Sequence, residues 1–284
     1  MKVVIGGASG LVGRALADSL RGDGHEVVAV SRHPRPGAVS WDTAGSAVAG
    51  AGAVVNLAGT SIGGPRWTNG RKEKIVSSRV ETTRRLVQEI ERAGERPRVF
   101  VTASGIGFAG DAGDDVVDES YPYGRDFLAR VCEAWEGAGA KAPVRHVAVR
   151  AGLVVAKGAP ALRLMSLPFR FFAGGPVGGG RQWFPWIHLD DLVGIYRRVI
   201  DDETLAGPVH AVGPEPLRQR DAAHELGAVL HRPAILPTPE VALRLALGEQ
   251  ADLLLHGQHA VSRKLDGFEF RYRGLRAALE DALG

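Results

Sequence analysis

Short apolar runs rich in β-branched residues alternate along this chain with longer stretches whose apolar positions recur at helical spacing. Val3-Val4-Ile5, Val27-Val28-Ala29-Val30, a short Val39-Ser40-Trp41-Asp42, Ala53-Val54-Val55, Val99-Phe100-Val101 and the stretch 146–155 read as buried strands, with a last core strand at Val209-His210-Ala211-Val212. Between them, Ala15, Leu16 and Leu20 mark a first helix ending near Gly22 and Gly24, and a long helix over about 71–92 carries Ile75, Val80, Leu86-Val87 and Ile90 on one stripe. Another helix starts near Phe127, with Leu128, Val131, Cys132 and Trp135 on one face. This order predicts an α/β fold, a doubly wound parallel sheet. Beyond residue 213 the pattern becomes helical, at 221–230, 240–255 and 275–283, with Pro237-Thr238-Pro239 before the middle helix. We expect a dinucleotide-binding domain at 1–160, rejoined by 189–212, and a smaller, mostly helical substrate lobe from 161–188 and 213–284.

Length and composition agree with this picture. The 284 residues are 45% hydrophobic, enough for a full core, and the 38 glycines follow no period of three. Thirty-five basic and 32 acidic residues are interspersed, with no basic block or aromatic-interleaved basic stripe, so no nucleic-acid partner is expected. The lone cysteine, Cys132, cannot form an internal disulfide and reads as a buried small hydrophobe in a reducing compartment. No apolar run reaches the roughly 18 residues of a membrane span and no leader pattern opens the chain. The expectation is a cytoplasmic protein with no membrane partner, and no metal-ligand spacing is seen.

The chemistry begins at the first strand. Gly6-Gly7-Ala8-Ser9-Gly10-Leu11-Val12-Gly13 follows it and opens the first helix. Gly7 lets the chain turn off the strand, Gly10 lets backbone N–H groups approach a pyrophosphate, and Gly13 lets the helix pack closely. With Ser9, Leu11 and Val12 they form the expected phosphate site at a helix N-terminus. About 20 residues on, where an NAD-selective site holds an acid, stand Ser31, Arg32 and His33. A hydroxyl and a cation suit a 2′-phosphate, so Ser31 and Arg32 indicate NADP(H).

Ligands of open α/β sheets lie beyond the carboxyl ends of the strands, which brings Ser104 to where chemistry would occur. It reads equally as an ordinary strand-end serine. Trp67, in the glycine-rich loop 63–68, is read as lining a substrate cleft. Arg181, Trp183, Trp186 and His188 fall in one glycine-flanked run whose mixture of aromatic and polar side chains suits a concave site. For His188, a histidine locking the crossover to the core is the competing reading.

The glycine spacing resembles the extended, epimerase-type branch of the short-chain dehydrogenase/reductase superfamily. The resemblance sharpens to its atypical epimerase family through Arg66-Trp67-Thr68, Ser78-Arg79-Val80, Ser104 with Gly107, the glycine run 174–180, Arg181-Gln182-Trp183-Phe184, Trp186-Ile187-His188-Leu189-Asp190-Asp191, Pro214-Glu215-Pro216-Leu217-Arg218 and Gly267-Phe268. It covers essentially the whole chain. It implies that Leu57, Ala58 and Gly59 pass the nicotinamide ribose, that Asp42 lies near the adenine, and that Thr102 belongs to the cofactor strand. It further implies that Ser104 hydrogen-bonds a substrate carbonyl and that Phe108 faces the substrate. A homodimer through exposed helices is common in the superfamily.

Two departures matter. The superfamily active site carries Tyr-x-x-x-Lys, whose lysine lowers the tyrosine pKa; Tyr123 has Phe127 at that offset. Members of the atypical family also lack the pair. Without the lysine, a tyrosine near its usual pKa of ~10 is a poor base at neutral pH, so Tyr123 is either a hydrogen-bond donor or a structural residue. Phe108-Ala109 replaces the family's usual aromatic pair. The function expected is an NADP(H)-dependent oxidoreductase or epimerase-type enzyme on a small carbonyl or hydroxyl substrate, with Ser104 and Tyr123 catalytic. A cofactor-binding regulator without turnover, and a dehydratase or isomerase using the cofactor transiently, are the alternatives.

Overall fold

The computed structural model describes residues 1–34 and 37–284. In chain order it consists of β1 (Lys2–Gly6), α1 (Leu11–Gly22), β2 (Glu26–Ser31), β3 (Ala38–Ser40), α2 (Ala44–Val48), β4 (Ala53–Asn56), α3 (Asn69–Arg92), β5 (Val99–Gly105), β6 (Val116–Val117), α4 (Phe127–Gly139), β7 (Arg145–Ala151) and β8 (Leu153–Val155). Then follow α5 (Pro160–Arg170), β9 (Trp186–His188), α6 (Leu189–Asp201), β10 (Gly207–Ala211), α7 (Gln219–Val229), α8 (Glu240–Leu247), α9 (Asp252–Leu255), β11 (His259–Ala260) and α10 (Leu275–Leu283).

Seven strands form one parallel sheet in the order β10-β7-β5-β4-β1-β2-β3. The order reverses between β1 and β4, a crevice at the carboxyl ends where an α/β sheet takes its ligands. Val3, Ile5, Val55, Val101 and Val149 are sealed on the face covered by α1 and α6, and Val4, Val54 and Phe100 on the face covered by α2 and α3. Burial on both faces explains why these strands read as unbroken apolar runs.

A second apolar core gathers Leu162 and Phe169 of α5, Trp186 of β9, Ala222 and Leu226 of α7, and Leu275 and Leu279 of α10. Among the described residues no helix is long and apolar enough to cross a membrane.

Three boundaries differ from the expected ones. The run 146–155 is two strands, because at Gly152 the chain passes so close to Pro185 that a Cβ would lie 2.8 Å from its carbonyl oxygen. Past that point β8 pairs with β9 instead of continuing beside β10. The short third strand stops at Ser40, whose hydroxyl accepts the Thr43 N–H at 3.2 Å and tightens Trp41–Thr43 into a 3₁₀ turn. The expected helix over 240–255 breaks at Gly248, whose φ of 61° ends the right-handed α-helix and leads into a short 3₁₀ turn at Gly248–Ala251.

Candidate functional site

The first turn behaves as its glycines require. Gly7 has φ 82°, and a Cβ there would stand 2.7 Å from the Leu57 carbonyl carbon, so the turn rests directly on the loop leaving β4. A Cβ on Gly13 would meet the Gly7 oxygen at 2.3 Å. Gly10 is different: a Cβ would meet only the Gly7 oxygen, at 3.4 Å, so open space lies beside it. Gly10 is also the N-cap of α1, and no side chain caps that helix. Bare N–H groups facing an opening that glycine keeps clear are what a pyrophosphate requires, so the residues present fit a dinucleotide.

Buried Asn56 holds the neighbouring loop. Its Oδ1 accepts the Ala58 N–H at 3.1 Å, and its Nδ2 donates to Thr83 at 2.9 Å and Thr82 at 3.2 Å. Arg79 secures the next step, donating to the Thr60 carbonyl at 2.9 Å while its side chain packs where a Cβ on Gly59 would be. Ser31 ends β2 with its hydroxyl accepting the His33 N–H at 3.2 Å, and Arg32 beside it is exposed. Asp42 is exposed and ion-paired with Arg85. Thr102 requires a correction: it is fully buried and its hydroxyl bonds to His146 Nε2 at 2.9 Å, so it offers no exposed group to a cofactor.

At the ends of β5 and β7 four side chains converge. Glu136 on α4 accepts Ser104 Oγ on Oε1 at 2.5 Å and Tyr123 Oη on Oε2 at 2.7 Å. Arg150 of β7 clamps the same carboxylate through Nε and Nη2, both at 2.9 Å. The pair is deeply buried, with side chains 3% and 7% exposed. Phe108 lies over the guanidinium, its ring centroid 3.5 Å from Cζ. Burial first, then the hydrogen bond and charge of Glu136, push the Tyr123 hydroxyl up to about 12, against the opposing pull of Arg150.

Tyr123 also faces outward. It lines an open cleft of about 450 Å³ with Ala109, Tyr121, Gly124, Arg125 and His256. Tyr123 therefore links a solvent-reachable volume to a buried carboxylate. Ser104 and Tyr123 are brought together, as the sequence suggested, but through Glu136.

The residues expected to touch substrate are distributed otherwise. Phe108 is fully buried, with its ring against the Arg150 guanidinium. Trp186 is 1% exposed in the second core; the void it borders holds only about 10 Å³, room for at most one water. His188 caps α6, its Nδ1 accepting the Asp190 N–H at 3.1 Å, and its Nε2 lies 3.2 Å from Asp281, so it locks the crossover. Trp183 is stacked on His259 at 3.9 Å and has Arg218 at 3.7 Å; two flat groups that close must occupy opposite faces, leaving none for a ligand. Trp67 packs edge-on to Phe127 at 5.0 Å and donates to the Ile62 carbonyl at 2.8 Å, pinning its own loop. Arg181 is exposed and gives its backbone carbonyl to Arg218.

Sequence reasoning missed Glu136 and Arg150. A signal was present: Glu136 follows Trp135 on the apolar stripe of α4, and Arg150 interrupts the apolar run of β7, so two opposite charges lie in segments that should be sealed. Among the described residues no group of three or more His, Cys, Asp or Glu could hold a metal.

The NAD dependent epimerase/dehydratase family matches residues 3–213, and a domain of unknown function, DUF1731, matches residues 238–282. The mouse (Mus musculus) "Epimerase family protein SDR39U1" is 37% identical over 293 residues, spanning 100% of this chain and 100% of the mouse protein. The Arabidopsis thaliana "Epimerase family protein SDR39U1 homolog, chloroplastic" is 39% identical over 301 residues, 98% of this chain and 86% of that protein. The crystal structure of human epimerase family protein SDR39U1 (isoform 2), solved with NADPH, superposes with a TM-score of 0.94 at 34% identity over 99% of each chain.

Proposed function

This chain belongs to the NAD dependent epimerase/dehydratase family, and on that premise we propose that it binds NADP(H) and acts as an oxidoreductase or epimerase-type enzyme on a small carbonyl or hydroxyl compound. Gly7, Ser9, Gly10, Leu11, Val12 and Gly13 would hold the pyrophosphate, Ser31 and Arg32 the 2′-phosphate, Asp42 the adenine side, and Leu57, Ala58 and Gly59 the nicotinamide side. Residues 161–188 and 213–284 form the substrate lobe. Support comes from the NADPH in the human relative's crystal structure and from the opening beside Gly10.

Bound, the nicotinamide supplies the hydride chemistry. The chain's own part is proton handling, and the observation that carries it is the 2.7 Å bond from Tyr123 Oη to Glu136 at the wall of the cleft. Because Tyr123 donates inward, its oxygen can accept a proton from a substrate hydroxyl as its own proton passes to Glu136. A pKa pushed up to about 12 argues against a standing tyrosinate at neutral pH, but this concerted transfer needs none. Ser104 and Arg150 hold the carboxylate in place and are positioning residues. A direct bond from Ser104 to the substrate is not part of this reading, since its proton is committed to Glu136.

The same commitment favours one competing reading, a cofactor-binding regulator without turnover: neither hydroxyl has a free proton for polarising a carbonyl. One experiment separates the two. NADPH and NADH are titrated by fluorescence, and NADPH consumption is followed with a panel of aldehydes, ketones and quinones. Turnover that Glu136→Gln and Ser104→Ala both reduce, with NADPH affinity unchanged, supports the enzyme; tight binding with no consumption on any compound favours the regulator.

A further inference from the structure

Eleven large apolar side chains are exposed among the described residues, and eight of them lie within 164–172 or 235–245. On α5, Leu164 and Leu167 are followed by Phe171 at helical spacing, so the three share a face, exposed at 61%, 49% and 74%. Phe172 follows with φ 58°, and both adjacent phenylalanines are more than half exposed. The segment 232–238 runs alongside: Leu236 N donates to the Gly174 carbonyl at 3.0 Å, and Arg232 lies 4.6 Å from the Phe172 ring. Ile235 and Leu236 therefore extend the same surface, and α8, which follows directly, buries none of its residues and adds Val241 and Leu245.

Basic side chains outnumber acids in the segments that carry this surface. No aspartate or glutamate occurs between Glu136 and Asp190, nor anywhere in 226–239. Lys157, Arg163, Arg170, Arg181 and Arg232 are all exposed. On the α8 side, Glu240 and Asp252 are both paired with Arg244, and Glu249 with Lys72.

A two-fold contact with a second copy would set these cations against themselves. An anionic lipid surface satisfies both features, offering phosphates to the arginines and an apolar boundary to the phenylalanines and leucines. We propose that this face docks on an anionic membrane surface, with Phe171 and Phe172 inserted at the headgroup boundary. An interfacial face of this kind needs no membrane-spanning helix.

The test is flotation of the full chain with vesicles of phosphatidylcholine alone and of phosphatidylcholine with about a quarter phosphatidylglycerol, at low and high salt. Binding to the anionic vesicles alone is expected, weakened by salt. Phe171→Ser combined with Phe172→Ser should lower the partition coefficient on the order of a hundredfold, at an unchanged circular dichroism spectrum and thermal midpoint. Arg163→Glu combined with Arg170→Glu should abolish binding. Failure to float with the anionic vesicles, or equal flotation with phosphatidylcholine alone, overturns the proposal. A wild-type dimer in analytical ultracentrifugation that the phenylalanine variant dissociates also overturns it, giving the face to a second copy.

Discussion

Arg150→Leu leaves the backbone of β7 and the aliphatic base of the side chain in place but strips the Glu136 carboxylate of its cation. Both partners are buried, at 3% and 7% exposure, and the bidentate contact has two bonds of 2.9 Å. Removing one member of such a pair leaves an uncompensated charge in a low dielectric and typically costs about 3–5 kcal/mol. The two hydroxyls that donate to Glu136 offset part of this, so about 3 kcal/mol is expected for Arg150→Leu. Replacing both residues, Arg150→Leu with Glu136→Leu, removes charge and counter-charge together. The remaining loss is the acceptor of Ser104, about 1–2 kcal/mol, because half-exposed Tyr123 can turn its hydroxyl to water. The cycle should therefore show the double variant no less stable than Arg150→Leu alone. Urea unfolding followed by circular dichroism at neutral pH measures all four proteins. An Arg150→Leu cost below about 1 kcal/mol, or strictly additive single variants, would refute the buried pair and with it the relay through Glu136.

Three further outcomes follow from the geometry. Gly10→Ala should leave stability nearly unchanged while weakening NADPH binding by tenfold or more, whereas Gly13→Ala, with its Cβ 2.3 Å from the Gly7 oxygen, should lose both stability and binding; denaturation paired with cofactor titration distinguishes them. Arg32→Asp should cut the preference for NADPH over NADH by roughly 10- to 100-fold through loss of a charge-assisted contact, and an unchanged affinity ratio removes Arg32 from the 2′-phosphate site. Burial pushes His146 down to about 4. The unfolded chain protonates it first, so stability present above about pH 6.5 should fall by roughly 3 kcal/mol as the pH drops toward 4, a slope that His146→Phe should lose when unfolding is measured across that range.

What could be read from the sequence was what periodicity and backbone conformation control. The apolar runs became the parallel strands because both faces of the sheet are covered, and the three glycines of the first turn stand where a Cβ would strike Leu57 or the Gly7 oxygen, or would crowd the mouth of α1. Pairings between distant side chains were not readable in the same way. Trp183, Trp186 and His188 look like a binding site in sequence because they are aromatic and polar together, yet each finds its partner elsewhere in the chain: His259 and Arg218, the second core, and Asp281. Glu136 and Arg150 were visible only as two charges in apolar stripes. Which charge answered which depends on α4 crossing the ends of β5 and β7, and no local spacing encodes that crossing.

The change at the tyrosine is a change of sign. A lysine beside a catalytic tyrosine stabilises the tyrosinate, whereas the nearest partner of Tyr123 is a carboxylate, which stabilises the protonated hydroxyl and works with burial to raise its pKa. Arg150 only moderates this, since its charge is shared with Glu136. On the proposed reading, a site built this way holds no ready base, so proton transfer through it would be concerted with a change in the substrate, at a rate set by how well the substrate hydroxyl is aligned to the Tyr123 oxygen. Cofactor binding, which we assign to the glycine turn and Arg32 at another part of the same sheet edge, would be independent of that alignment. Dinucleotide affinity can therefore be high on a chain whose turnover is narrow in substrate, and the two properties have to be measured separately.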